Sequence, residues 1–133
     1  MDIKVNFFEE NFVEAIGAGI YGIYLQTNTE NKELLYVGES VFVLVRCATH
    51  LYEIVKGNGY FGFTKEKIES NNITLVFELL VSESDKKRRK TKEKEIIKDR
   101  HPRMQSEISD RVKSVEDMIS ELKNLLNNNE ASI

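Results

Sequence analysis

Two short clusters of glycine and tyrosine lie close together in the first third of the chain. They are Gly19-Ile20-Tyr21 and Tyr36-Val37-Gly38, and both stand in strand-like surroundings rich in Ile, Leu and Val. A phenol has a pKa of about 10, so it is a poor base at neutral pH unless nearby cations lower that value. Two interpretations are open: tyrosines that fill one face of a hairpin, or phenols that take part in proton transfer.

Further residues downstream continue the pattern, and together they carry a family resemblance. Arg46 comes ten residues after the second tyrosine, and His50 follows one helical turn later. Over residues 18–105 the chain resembles the GIY-YIG nuclease family. The matching positions, in chain order, are Gly19-Ile20-Tyr21, Tyr36-Val37-Gly38, Arg46, His50, Glu93, Ile96, Ile97 and Pro102.

The resemblance implies a metal-dependent endonuclease that hydrolyses DNA phosphodiester bonds with Mg²⁺ or Mn²⁺ as cofactor. Glu93 would hold the cation, which polarises the phosphate and assists the leaving oxygen. Arg46 would bind the scissile phosphate and stabilise its developing charge. Tyr21 would orient or deprotonate the attacking water, Tyr36 would position the phosphate, and His50 would relay a proton.

The same residues have ordinary structural interpretations. A single histidine is more often structural than catalytic, and Arg46 could be an ordinary helix residue. Glu93 lies in a Lys/Glu-rich segment, where pairing between residues four positions apart is the usual role. Only the distance to Pro102 distinguishes Glu93 from Glu95.

Gly19, Gly38 and Gln105 are the expected supporting residues, and one of them departs from the family. Gln105 stands where the family has asparagine, so the amide is kept but lies one methylene further from the backbone. A second departure is the apolar segment Val41–Val45, where many members are polar and basic. An all-round apolar helix must be covered on more than one side, here by residues 6–16, by the C-terminal helix or by another subunit.

The strands and helices that must position these residues indicate an α/β fold. It consists of a small three-stranded antiparallel sheet flanked by helices, with an added C-terminal amphipathic helix. Segments rich in Ile, Leu, Val and aromatic residues predict three strands, and residues 6–16 look like a short helical lead-in. Residues 41–56 are ambiguous between a buried strand and a helix. The predicted strands span 19–26, 34–38 and 73–81; Thr64 caps a short helix, and Ser82 or Ser84 caps a charged helix that ends before Pro102.

A basic stripe occupies residues 86–103, with ten Lys/Arg against three Asp/Glu, although the whole chain carries a net charge of −3. A solvated helix face is the commoner role of such a stripe. It could also serve as an electrostatic footprint for DNA. The predicted nucleic-acid-binding residues are Lys86, Lys87, Arg88, Arg89, Lys90 and Arg103.

Composition limits the broad class of protein. The length of 133 residues predicts one domain, or one domain with an appendage. The resemblance implies that residues 1–105 are the nuclease domain with its lead-in, followed by a C-terminal helix and tail over 106–133. The single cysteine, Cys47, excludes an internal disulfide and a cysteine-rich zinc site, and favours a cytoplasmic setting. No apolar stretch approaches the length of a transmembrane helix and no signal peptide is recognisable, so no membrane partner is expected.

Residues 106–128 carry a heptad-like apolar seam. Such a seam either packs back on the domain or forms a homodimer, through this helix or through the Val41–Val45 face. A dimer would bring two metal sites to one duplex. The seam consists of Ile108, Val112, Val115, Ile119, Leu122 and Leu126.

The sequence thus predicts a compact nuclease of restriction, phage or defence type. The alternative is a GIY-YIG-like module that binds nucleic acid or protein without cutting. Tyr21, Tyr36, Arg46 and Glu93 favour the nuclease, whereas Gln105 and the apolar helix favour the binding module.

Overall fold

The computed structural model describes residues 3–27, 31–70 and 72–105. The description of the fold concerns these ranges, and the predicted helix at 106–128 lies outside them. The strands and helices, in chain order, are β1 (Ile3–Phe7), α1 (Phe12–Ala15), β2 (Gly19–Gln26), β3 (Lys32–Ser40), α2 (Val43–Val55), β4 (Asn58–Tyr60), β5 (Phe63–Thr64), α3 (Lys65–Ser70), β6 (Ile73–Ser82) and α4 (Lys86–Arg100).

The α/β class is confirmed, but the sheet is not the expected plain three-stranded antiparallel one. It has four strands in the order β1-β6-β2-β3. Strand β2 lies in the interior and pairs antiparallel with both β3 and β6. Strand β1 adds a parallel pairing at the far edge, next to β6, which makes the sheet mixed.

The prediction of a helical lead-in at residues 6–16 was wrong for its first part. Residues Ile3–Phe7 form a strand, and only Phe12–Ala15 form a helical turn. Ile3, Val5 and Phe7 alternate with polar residues, which is the period of a strand. Phe8 then adopts a positive φ of 52° and ends the strand, with its ring in the core.

The hairpin of β2 and β3 sets the two glycine–tyrosine clusters side by side. Tyr21 lies opposite Gly38, and Ile23 lies opposite Tyr36. A Cβ at position 38 would run into the ring and hydroxyl of Tyr21 and into the ring of Tyr36. Glycine at this position therefore leaves room for the rings of Tyr21 and Tyr36.

Helix α2 resolves the ambiguity of residues 41–56. Its start is held by two bonds: the Phe42 backbone N–H donates to Ser40 Oγ at 3.0 Å, and the Val43 N–H donates to the Gly17 carbonyl at 3.1 Å. One stripe of the helix faces the core, and α1 packs against the helix. That buried stripe consists of Val43, Arg46, Cys47, His50 and Ile54.

The later elements follow the prediction with one correction. Thr64 Oγ1 accepts from the Lys67 N–H and caps α3, as expected. The cap of α4 is Asp85, which accepts from the Arg88 N–H at 3.0 Å, rather than Ser82 or Ser84. Helix α4 ends at Arg100, before Pro102, as predicted. In the described ranges no helix is long and apolar enough to cross a membrane.

Candidate active site

Three predicted site residues from three separate elements meet in the core. Tyr21 comes from β2, Tyr36 from β3 and His50 from α2, and each side chain has 0% exposure. The ring centroids lie 6.3 Å apart for Tyr21 and Tyr36, 5.7 Å for Tyr21 and His50, and 5.5 Å for Tyr36 and His50. The structure therefore brings the two phenols and the imidazole, three of the predicted site residues, into one aromatic cluster.

Hydrogen bonds link the cluster through both nitrogens of the imidazole. The Tyr21 hydroxyl lies 2.8 Å from His50 Nε2, and the Tyr60 hydroxyl lies 2.8 Å from His50 Nδ1. A neutral imidazole has one N–H and one acceptor nitrogen, so one phenol donates to the ring and the other accepts from it. His50 is thus held at both ends, which fixes the orientation of its ring.

Arg46 lies on the same buried stripe of α2, one turn before His50, and is 6% exposed. A guanidinium stays protonated at all relevant pH values. Its charge acts more strongly in this water-poor interior than it would at the surface. The helix thus carries a permanent cation next to the cluster.

Glu93 lies on α4, which packs against β3 and β2. Its side chain is half-buried, whereas that of Glu95 is exposed. Glu93 also lies one turn after the buried Arg89, on the same side of the helix. No group of three or more His, Cys, Asp or Glu side chains suited to a metal ion occurs in the part of the chain that the structure describes.

The side-chain amide of Gln105 pairs with the backbone N–H and carbonyl of Val37, the middle residue of Tyr36-Val37-Gly38. Val37 N–H donates to Gln105 Oε1 at 2.9 Å, and Gln105 Nε2 donates to the Val37 carbonyl at 2.9 Å. Backbone N–H groups of Arg103 and Met104 donate to Leu34 and Leu35 of the same strand. The segment after α4 therefore covers the open edge of β3 and ties it down.

The structure corrects the role expected for Arg89. This residue is buried, with 2% exposure, and cannot reach a phosphate at the surface. Its Nε donates to Glu39 Oε2 at 2.6 Å, and its Nη1 donates to the carbonyls of Glu83 and Ser84. Arg89 is therefore a structural link between α4, β3 and the end of β6.

The other predicted DNA-binding residues stay near the surface. Lys86, Lys87 and Arg88 are exposed, and Lys90 is half-exposed. Arg103 is exposed and donates to Glu33 at 2.9 Å. Nearby, the hydrogen bond from Lys92 lowers the pKa of the Glu83 carboxyl below its ordinary value.

Sequence reasoning missed Tyr60, at the end of β4, and Phe61, in the turn between β4 and β5, which complete the cluster. Phe61 has a positive φ of 53°, and its ring centroid lies 5.3 Å from that of Tyr36 and 5.8 Å from that of His50. The signal was the stretch Gly57–Phe63, in which aromatic residues alternate with glycines that permit a tight turn.

No protein-family model matches this chain, and no curated protein or solved structure matches it significantly. The chemistry assigned to the cluster therefore rests on the residue types and on the geometry described above.

Proposed function

We propose that this protein is a divalent-metal-dependent endonuclease that hydrolyses DNA phosphodiester bonds, as a compact enzyme of the GIY-YIG type. The observation that carries the proposal is the hydrogen bond between the Tyr21 hydroxyl and His50 Nε2, at 2.8 Å. It pairs a weakly acidic phenol with a base inside a cluster that also holds Tyr36. Such a pair can move a proton at neutral pH, which an isolated phenol does poorly.

In this proposal the cluster divides the work of phosphodiester hydrolysis. Tyr21 orients the attacking water and takes its proton, while His50 accepts the proton of the phenol. Arg46 stabilises the negative charge that develops on the phosphate, and its burial makes that stabilisation stronger. Tyr36 positions the phosphate against the cluster.

The residues present fit a magnesium or manganese ion that is held in part by the phosphate of the substrate. Mg²⁺ keeps several waters and is often held by one or two carboxylates together with substrate phosphates. Glu93 on α4 would supply that carboxylate. When bound, the ion would act as a Lewis acid on the phosphate.

The exposed part of the basic stripe supports DNA as the substrate. Lys86, Lys87 and Arg88 project from the first turn of α4, and Lys90 follows them. Phosphate contacts from these cations would add salt-dependent affinity without sequence specificity. A homodimer would allow both strands of one duplex to be cut.

The complete burial of Tyr21, Tyr36 and His50 favours a second candidate function. In a module that binds nucleic acid or protein without cutting, the aromatic cluster would serve as packing, and the basic stripe alone would contact the partner. This candidate predicts DNA binding that weakens steeply with salt while every DNA substrate stays intact.

The deciding experiment incubates purified protein with supercoiled plasmid and Mg²⁺ or Mn²⁺, with EDTA as a control. Glu93→Gln keeps the shape of the side chain and removes its charge, and Glu95→Gln makes the same change at an exposed position of the same helix. We expect cleavage by the parent and by Glu95→Gln, and its loss in Glu93→Gln and in EDTA. Equal cleavage by both variants contradicts the assignment of Glu93, and intact plasmid throughout supports the binding module.

A further inference from the structure

Tyr60 contacts His50 from the side away from Tyr21. Its hydroxyl lies 2.8 Å from His50 Nδ1, and its ring packs edge-on against Phe61, with centroids 5.0 Å apart. Tyr60 is half-exposed, whereas Tyr21 and His50 are buried. The three side chains form a continuous line from the core to the surface.

We infer that Tyr60 is the outer end of a proton relay that runs from Tyr21 through His50 to solvent. The inference rests on the proposed function and adds to it a positioning residue that the motif pattern does not contain. Protons would leave the buried phenol along two short hydrogen bonds, so the aromatic cluster stays closed during the transfer.

In every step of the relay one O–H or N–H bond breaks and another forms. At the start the Tyr21 hydroxyl donates to Nε2, and Nδ1–H donates to the Tyr60 oxygen. Tyr21 passes its proton to Nε2, Nδ1 passes its proton to the Tyr60 oxygen, and Tyr60 releases its own hydroxyl proton to solvent. Tyr21, now a phenolate, takes a proton from the attacking water, which becomes the nucleophile.

The ring is reset when the leaving oxygen departs. As the bond between phosphorus and this oxygen breaks, Tyr21 donates the proton of the attacking water to the oxygen and becomes a phenolate again. Tyr60 then donates its proton to Nδ1 and takes another from solvent, while Nε2 returns its proton to Tyr21. Over one turnover Tyr60 releases one proton to solvent and takes one back, the proton of the attacking water ends on the leaving oxygen, and no charge accumulates on the buried imidazole.

The surroundings of His50 explain why a relay is useful there. The titratable and charged groups around it are the phenols of Tyr21 on β2, Tyr36 on β3 and Tyr60 on β4, together with Arg46 and Cys47 one turn earlier on α2. An imidazolium formed next to a buried guanidinium would be costly in this interior. Releasing the second proton through Tyr60 removes that cost.

The kinetic test compares Tyr60→Phe with Tyr24→Phe. The first variant keeps the ring that packs on Phe61 and removes only the hydroxyl. The second removes a hydroxyl that accepts from Arg100 and does not contact the cluster. Cleavage rates are measured across the pH range in dilute buffer and again in concentrated buffer made of small amines.

We expect kcat of Tyr60→Phe to fall about tenfold in dilute buffer with KM unchanged, because general acid–base steps contribute about 10²–10⁴-fold in enzymes. Concentrated buffer should restore much of the loss by carrying the proton instead. Tyr24→Phe should match the parent under both conditions. A Tyr60→Phe enzyme as fast as the parent, or a loss that no buffer restores, overturns the relay.

A second readout does not depend on cleavage. The chain has two histidines, so ¹⁵N-histidine spectra can be assigned with His101→Asn as the reference. Tyr60→Phe should shift the Nδ1 resonance of His50 while the bond between Nε2 and Tyr21 persists. An unchanged Nδ1 resonance overturns the inference. If Nδ1 responds while the parent cuts no DNA, the hydrogen-bonded path stands and the nuclease proposal fails.

Discussion

Removing the charge of Arg89 should be among the most damaging single changes available in this fold. The ion pair between Arg89 and Glu39 is buried, with the side chains 2% and 8% exposed and Nε 2.6 Å from Oε2. Arg89→Met keeps an unbranched apolar stem and removes the guanidinium. It leaves the Glu39 carboxylate in the interior without its cation.

The magnitude follows from the position of the pair. Breaking a buried pair by removing one partner costs about 3–5 kcal/mol, because the remaining charge stays desolvated. Replacing both partners by apolar residues of similar volume is often close to neutral. We therefore expect Arg89→Met to lower the free energy of unfolding by about 3 kcal/mol or more. The double variant with Glu39→Leu should recover at least half of that loss.

The assay is urea unfolding of the two single variants and the double variant, arranged as a double-mutant cycle. Arg103→Gln is the matched control, because its pair with Glu33 is 62% and 48% exposed. A surface pair of this kind contributes about 0–1 kcal/mol. The reasoning is refuted if Arg89→Met costs no more than Arg103→Gln, or if the double variant is less stable than Arg89→Met alone.

Two further changes probe how the hairpin is held. Gln105→Ala removes both hydrogen bonds to Val37, at about 1 kcal/mol each, so unfolding should become easier by about 2 kcal/mol and the Val37 amide should exchange faster with solvent. For Gln105→Asn, both the stability and the exchange rate of the Val37 amide should lie between those of the parent and of Gln105→Ala. Equal exchange in all three proteins would count against this role of Gln105. Gly38→Ala should displace the Tyr21 ring, lower stability by about 1–3 kcal/mol and shift the Nε2 resonance of His50; an unshifted resonance with full stability would contradict the steric argument.

Local patterns were enough to predict the strands that carry the cluster. Runs rich in Ile, Tyr, Leu and Val located the strands that hold Tyr21 and Tyr36, and the spacing of Arg46 and His50 is that of one helical face. The structure confirms those strands, and it shows that the ambiguous residues 41–56 contain a helix from Val43 to Val55. Each of these signals lies within a few residues of chain, where propensity and spacing dominate.

The errors occur where a distant partner decides the structure. Residues Ile3–Phe7 could form a strand only because β6, some seventy positions later, offers an edge for parallel pairing. Its alternation of Ile3, Val5 and Phe7 was present in the sequence but spans only five residues. Arg89 looked like one cation of a surface stripe, since nothing local shows that Glu39 lies beside it.

The contacts that support the site are also decided by distant partners, and Gln105 illustrates the reason. The sequence presented it as a departure from an asparagine, with an amide one methylene too far from the backbone. In the structure that amide meets both the N–H and the carbonyl of Val37 at 2.9 Å. A side-chain amide carries a donor and an acceptor side by side, which matches the N–H and the carbonyl of one strand residue. Position 105 therefore requires a side chain long enough to bring its amide to the edge of β3. The distance from the backbone of residue 105 to that edge depends on how α4 and the following residues return to the sheet.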